Sequence, residues 1–149
     1  MDQHPFFRDV YVVVSEWRFE VWNTILESES AVFTGCLGTF DVSYTGWGWH
    51  LALPGVFVLS KSNGTVDVWD LSEETVFGPV QAVSLTQFEI HSMKFLNRNK
   101  ENQAVHLAVG DSSGRLPLFD VSKTSDDAQE HQLKRLRKLF SRDISSMRL

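Results

Sequence analysis

Gly110-Asp111-Ser112-Ser113-Gly114 sets serines among small neighbours beside an aspartate, a setting that suits a nucleophile in acyl transfer. That chemistry also requires a histidine base, an orienting aspartate and an oxyanion hole. The same residue types are those a tight turn selects, because Asp and Ser bond their own backbone and Gly accepts positive φ, so the segment reads as a turn. The histidines His4, His50, His91, His106 and His131 include no pair at metal-ligand spacing, and Cys36 stands alone. They read as structural or surface groups. No Gly-x4-Gly-Lys-Ser/Thr loop is present to cradle a phosphate, so nucleotide hydrolysis would belong to a partner. Trp17, Trp47 and Trp49 could stack a ligand, yet packed strands consume aromatics routinely. Glu27, Glu29, Glu73 and Glu74 fit solvated loops. The expectation is a chain that is not an enzyme and needs no cofactor and no metal.

The elements that position these residues belong to an ordinary globular composition, with 42% hydrophobic and 22% charged residues among 149. No apolar run approaches the length of about 18 residues needed to span a membrane, and Met1-Asp2-Gln3-His4 lacks the features of a secretory signal. A single cysteine excludes an internal disulfide, so stability must come from a packed core. The net charge of −5 joins two unlike regions. From His131 to Leu149, six basic residues (Lys134, Arg135, Arg137, Lys138, Arg142 and Arg148) outnumber the one acid, Asp143; the rest of the chain holds 8 basic and 18 acidic groups. An acidic body repels phosphates, which argues against nucleic-acid binding, and the basic tail suits an acidic surface, including that body.

Three segments share one grammar: a β-branched run, a tight turn, a second apolar run, and a closing aromatic followed by a polar residue. They are Val10–Val14 with Arg18–Asn23, Gly55–Ser60 with Thr65–Asp70, and Val105–Gly110 with Arg115–Asp120. The closing aromatics Trp22, Trp69 and Phe119 are 47 and 50 residues apart. A propeller blade repeats at about 40–45 residues, slightly less than this. Each segment reads as a β-hairpin, and Asn63-Gly64 is the clearest turn signal, matching a type I′ turn. Runs such as Val10–Val14 and Val56–Leu59 are apolar on both strand faces, which requires a sheet covered above and below. Blades stacked between neighbours meet that condition.

Between the hairpins, Ser30–Thr34 and Pro79–Ser84 are expected as outer strands, and Val42–Trp47 and Ile90–Phe95 as inner ones. In the last, Ile90, Met93 and Phe95 are only partly in phase. The fold class is therefore all-β: a partial propeller of about three blades, an incomplete ring, followed by a C-terminal α-helix. The blades cover residues 1–123, in approximate repeats 4–34, 42–84 and 90–123, and the tail covers 124–149.

Val68-Trp69-Asp70, preceded by Ser-Asn-Gly-Thr-Val-Asp, resembles the end of a WD repeat, and Val21-Trp22-Asn23 and Leu118-Phe119-Asp120 look like degenerate versions. Leu53–Phe57 followed by Gly64–Leu71, with His4-Pro5-Phe6-Phe7 upstream and Trp47-Gly48-Trp49 as an inner strand, is similar to the late blades of dynein intermediate chains, especially the axonemal ones. The resemblance covers about residues 4 to 123. The Gly-His dipeptide that usually opens a WD repeat is absent, so the buried Asp-His-Ser/Thr-Trp network cannot form in full, although Ser60 and Trp69 could keep part of it. The structural positions are then Trp22, Ser60, Gly64, Trp69, Asp70, Phe119 and Asp120.

The resemblance implies a non-catalytic scaffold that binds dynein heavy chain and other dynein intermediate or light chains, and that supports arm assembly and motility. It implies a place in the cytoplasm and the ciliary or flagellar axoneme, with neither nucleic acid nor membrane as partner. The alternative is a cytoplasmic WD-repeat adaptor in a trafficking or ubiquitin-ligase complex. Three hairpin units do not close a ring that needs about four to eight blades, so the chain reads as a C-terminal piece or short form of a longer propeller protein. Its open edges should favour self-association.

Thr124-Ser125-Asp126-Asp127 is a helix-start signal, with a hydroxyl cap and acid near the positive end of the dipole. Leu133, Leu136, Phe140 and Ile144 follow at spacings of 3, 4 and 4, one helical face. That stripe has three readings: capping the propeller, docking a motor subunit in a groove, or, since the helix is basic and amphipathic though short, a calmodulin-like or membrane-surface role.

Overall fold

The computed structural model describes residues 2–25, 31–37, 41–72, 78–99, 104–121, 130–137 and 139. Among them eleven strands form three antiparallel sheets. The first sheet takes β1 (Asp2–Gln3), β2 (Val10–Val14), β3 (Arg18–Asn23) and β4 (Phe33–Cys36) in chain order. The second takes β5 (Tyr44–Trp49), β6 (Val56–Lys61), β7 (Thr65–Asp70) and β8 (Gln81–Ser84). The third takes β9 (Ile90–Asn99), β10 (Ala104–Asp111) and β11 (Leu118–Val121). A short helix, α1, covers 130–137. The expected hairpins are all present, and the register sets Tyr11 opposite Trp22, Phe57 opposite Trp69 and Leu107 opposite Phe119. The three closing aromatics thus hold equivalent positions in successive blades of an open propeller.

Strand bounds differ from the sequence expectation, as at β5 (Tyr44–Trp49 rather than Val42–Trp47), β9 (Ile90–Asn99 rather than Ile90–Phe95) and β11 (Leu118–Val121 rather than starting at Arg115), and two details have a local cause. The first outer strand begins at Phe33 rather than Ser30, because Gly35 is needed opposite Phe19: a Cβ at Gly35 would come within 2.3 Å of the Phe19 ring and 3.2 Å of Trp69. The Asn63-Gly64 turn is a three-residue loop rather than a two-residue type I′ turn, since the Gly64 N–H donates to the Lys61 carbonyl at 3.1 Å. Gly64 supplies a φ of +82°, and Asn63 Oδ1 accepts from the Thr65 N–H and hydroxyl. The third hairpin repeats this plan, with Gly114 at φ +82° and its N–H on the Asp111 carbonyl.

The irregular phase of Ile90, Met93 and Phe95 has a physical cause. Ile90 pairs with Asp111 and Ser92 with Gly110, so His91 is bulged out and the strand changes phase. The same slip occurs in β5, where Tyr44 pairs with Lys61 and Gly46 with Ser60. Tyr44, Trp47 and Trp49 therefore share one face, as Ile90, Met93 and Phe95 do.

The middle sheet is buried on both sides. Phe57, Leu59 and Trp69 pack with Val10, Val12, Phe19 and Val21 of the first sheet. Val58 and Val66 pack with Ile90, Phe95, Leu107 and Val109 of the third, with Val68 and Phe119 alongside. Phe19 is the centre of the first seam, edge-on to Trp69 at 4.8 Å and to Phe57 at 5.1 Å.

His4 and His50 cap equivalent turns. Each Nδ1 accepts two backbone N–H bonds, from Phe6 and Phe7 in one case and from Ala52 and Leu53 in the other. With Nδ1 an acceptor, the proton sits on Nε2, and His4 donates it across the seam to the Pro54 carbonyl at 2.6 Å. His50 Nε2 is buried with no hydrogen-bond partner. Burial lowers both imidazoles to about 4, in His4 against the opposing effect of the Pro54 carbonyl.

α1 closes the first seam from one end. Leu136 is wholly buried in the core shared by the first two sheets, and Leu139 packs against it. Gln132 Oε1 accepts from the Gly55 N–H at 3.0 Å, and Arg135 donates to the Ser72 carbonyl at 2.9 Å. The expected cap at Thr124–Asp127 lies outside the described residues, as do Glu27, Glu29, Glu73, Glu74, Phe140 and Ile144.

Two measurements test this arrangement. Gly64 and Gly114 share one φ, yet a Cβ at Gly64 would meet the Thr86 carbonyl oxygen at 2.1 Å while one at Gly114 meets nothing within 4 Å. Gly114→Ala should lower stability by about 1–2 kcal/mol, the left-handed penalty alone. Gly64→Ala should lose about 1–3 kcal/mol more through overpacking, read from urea midpoints. For pH, the unfolded histidines take up protons near 6.5 while the folded ones resist until about 4, so the unfolded state gains protons first. Stability should therefore fall as pH drops from 7 through this window, and the fall should be shallower in His50→Asn.

Candidate interaction surface

Of the residues singled out for structural roles, Trp69 is buried in the first seam and Phe119 packs against the second. Trp22 lies on the face of the first sheet turned away from the stack, half-buried, with its indole N–H on Glu20 Oε2 at 2.9 Å. Asp120 pairs with His106 in the backbone ladder. Asp70 Oδ1 accepts from the Ser72 N–H and hydroxyl, and Oδ2 faces Gln132 Nε2 at 3.5 Å, so it pins a turn and the terminal helix together.

The partial Ser60–Trp69 link is not made. Ser60 Oγ bonds Thr45 Oγ1 at 3.0 Å, and the Trp69 indole N–H is buried without a partner. Its place as polar glue in the seam is taken by Lys61 and Asp67, 2.8 Å apart and both largely buried. Burial, followed by the negative charge of Asp67 and then Cys36, raises the neighbouring Tyr44 hydroxyl above its ordinary range. The spacing of 46 residues that relates Tyr11 to Phe57 also relates His4 to His50, and this signal identifies the histidines as repeat caps.

The Asp111-Ser112-Ser113 segment is spent on its own turn. Ser113 donates its hydroxyl and N–H to Asp111 Oδ1, and Thr86 donates to Oδ2 at 2.7 Å. The Ser113 and Thr86 hydroxyls hold the Asp111 carboxyl below the usual carboxylate range. Among the described residues no group of three or more His, Cys, Asp or Glu could hold a metal ion, and no helix is long and apolar enough to cross a membrane.

Among the described residues, three surfaces remain for partners. The inner strands converge on a cavity of about 190 Å³ lined by Trp47, Trp49, Met93 and Phe95, with Asp2 and Lys94 also on its lining. Stacking on these indoles is restricted, because Trp49 is already packed between His4 and Phe57. The outward face of the first sheet carries Val13, Trp22 and the Arg18–Glu20 ion pair. The outward face of the third carries Leu96, Leu116 and Leu118, which are 40%, 69% and 59% exposed. On the tail helix, Leu133 is half-buried, but Leu136 is fully buried in its own protein's core and is not offered to a partner in this arrangement.

Comparison with known proteins agrees with this geometry. The family described as the dynein axonemal intermediate chain 3 WD40 domain matches residues 1–121. Dynein axonemal intermediate chain 3 of Mus musculus is 27% identical over 144 residues, which is 97% of this chain and 15% of the mouse protein. The 70 kDa intermediate chain of the flagellar outer arm dynein of Chlamydomonas reinhardtii is 27% identical over 149 residues, covering 96% of this chain and 24% of the algal one. The chain thus spans less than a quarter of the length of either relative. Among solved structures, the WD40 domain of Toxoplasma gondii coronin superposes with a TM-score of 0.59 at 20% identity, covering 79% of this chain and 29% of that one, a likeness of fold. With its blade grammar, its register and a family match over residues 1–121, the chain belongs to the family of the dynein axonemal intermediate chain 3 WD40 domain.

Proposed function

We propose that this chain is a non-catalytic scaffold within a dynein arm, binding dynein heavy chain and neighbouring intermediate or light chains and supporting arm assembly on ciliary or flagellar microtubules. The observation that carries this reading is the family match along the whole blade region, joined to relatives named as axonemal and flagellar outer-arm subunits. The physical side of the proposal is rigidity. Blades locked face to face hold their rim loops in place, which lowers the ordering cost of binding a large partner. The reactive-looking residues support the same reading: the Asp111 and Ser113 side chains are engaged in a turn, and His4 and His50 in backbone caps. Motor chemistry would then reside in the heavy chain, with this subunit supplying position.

The experiment is recovery of the tagged chain from ciliated cells, followed by mass spectrometry of the salt-extracted axonemal fraction. Dynein heavy chain and other arm subunits should co-enrich with the tag. Recovery in a cytoplasmic complex that contains no dynein subunit would overturn the proposal.

A further inference from the structure

α1 is held on the propeller by a small and particular set of contacts, and the turn it rests on explains them. Along the helix Gln132, Leu133, Arg135, Leu136 and Leu139 turn inward while His131, Lys134 and Arg137 are exposed, the spacing of one helical face. Leu136 fills the end of the first seam, and Leu139 packs beside it. The polar contacts fall on the second blade: the Gly55 N–H donates to Gln132 Oε1 at 3.0 Å, Gln132 Nε2 faces Asp70 Oδ2 at 3.5 Å, and Arg135 donates to the Ser72 carbonyl at 2.9 Å. The corresponding turn of the first blade shows what singles this one out. There Asn23 Oδ1 accepts the Ile25 N–H as Asp70 Oδ1 accepts that of Ser72, so either residue makes the turn. Only the aspartate leaves a second oxygen for an incoming amide. Gly55 completes the seat: a Cβ there would lie 2.8 Å from Asp70 Oδ1 and 3.0 Å from the Ser72 Cβ, so the site depends on bare backbone at this position.

We propose that the end of the first seam is a helix-binding site and that the chain's own tail is its releasable ligand, a latch read as glutamine, arginine three residues on, and leucines at four and seven. An isolated helix shorter than about 12 residues is marginal in water, and α1 covers only 130–137, so it forms as it docks and unravels as it leaves. Release uncovers Leu136 but breaks no ladder, since α1 belongs to none of the three sheets. Undocking is therefore a local opening rather than unfolding of the blades. The vacated seat takes a helix of the same pattern in the same way, with its apolar stripe in the groove and its amide between Gly55 and Asp70.

The test uses the 149-residue chain and a fluorescein-labelled peptide of residues 124–149, followed by fluorescence anisotropy. In the wild type the tail fills the site in cis, so the peptide should bind weakly. Leu136→Asp releases the chain's own tail and should bind the wild-type peptide at least about tenfold more tightly. Gln132→Ala combined with Arg135→Ala takes its place if it fails to give the wild-type far-UV circular dichroism. Adding Asp70→Asn, which keeps the turn as Asn23 does, should remove about tenfold of that gain. A peptide that itself carries Leu136→Asp should not bind. Folded release variants that bind no peptide, or bind it no more tightly than the wild type does, overturn the proposal. Equal binding of the wild-type and Leu136→Asp peptides also overturns it, pointing to attraction between basic tail and acidic body rather than to a seat for a helix.

Discussion

The middle sheet has no side it can show to water. Phe57, Leu59 and Trp69 project one way and Val58 and Val66 the other, all buried. Stripping either neighbour would expose at least two large apolar side chains, a loss of about 3–6 kcal/mol at about 1.5–3 kcal/mol each. That is comparable with the whole stability of a typical domain, about 5–15 kcal/mol. The first and third sheets are therefore conditions for the second to exist, and the order of blades follows from which face each strand offers.

Within that constraint, polar groups sit where the seams need direction rather than bulk. His4 joins the turn of one blade to the Pro54 carbonyl of the next, and Thr86 joins the second blade to the Asp111 turn of the third. Asp70, at the motif's closing position, fixes the turn on which α1 rests. The indole N–H groups of Trp49 and Trp69 and Nε2 of His50 are buried without a hydrogen-bond partner in the protein. Each such group costs about 1–3 kcal/mol, so the seams rely on shape, above all on Phe19 filling the space that Gly35 leaves open.

Much of this was legible in the sequence because it depends on period and turn chemistry. Val-rich runs flanking Lys61–Gly64 and Asp111–Gly114 identified the hairpins, and the double-faced apolar pattern of Val56–Leu59 required a covered sheet. The bulges that reset β5 and β9 were not legible, since a one-residue slip looks like lost phase until the partner strand shows which residue is left out. The position of β4 depended on a steric fit between Gly35 and Phe19, which local propensity does not encode. Among the partner-binding candidates, periodicity gave Leu133 and Leu136 one face of a helix but could not say what that face covers; the answer for Leu136 is the first seam. His4 and His50 lack metal-ligand spacing, and their separation of 46 residues, that of Tyr11 and Phe57, marks them as a pair of repeat caps.

Family membership places the blades among dynein axonemal intermediate chains, and the stack explains how each blade is held against the next. The claim on which this rests is that β6 is shielded from both sides while β2 and β10 are shielded from one. Native-state hydrogen exchange of the 149-residue chain reads this directly. The amides of Val58 and Leu59 should be the last to exchange, well behind those of Tyr11 and Ala108. Equal protection across the three sheets, or faster exchange in β6 than in β2 or β10, would contradict the stacked arrangement.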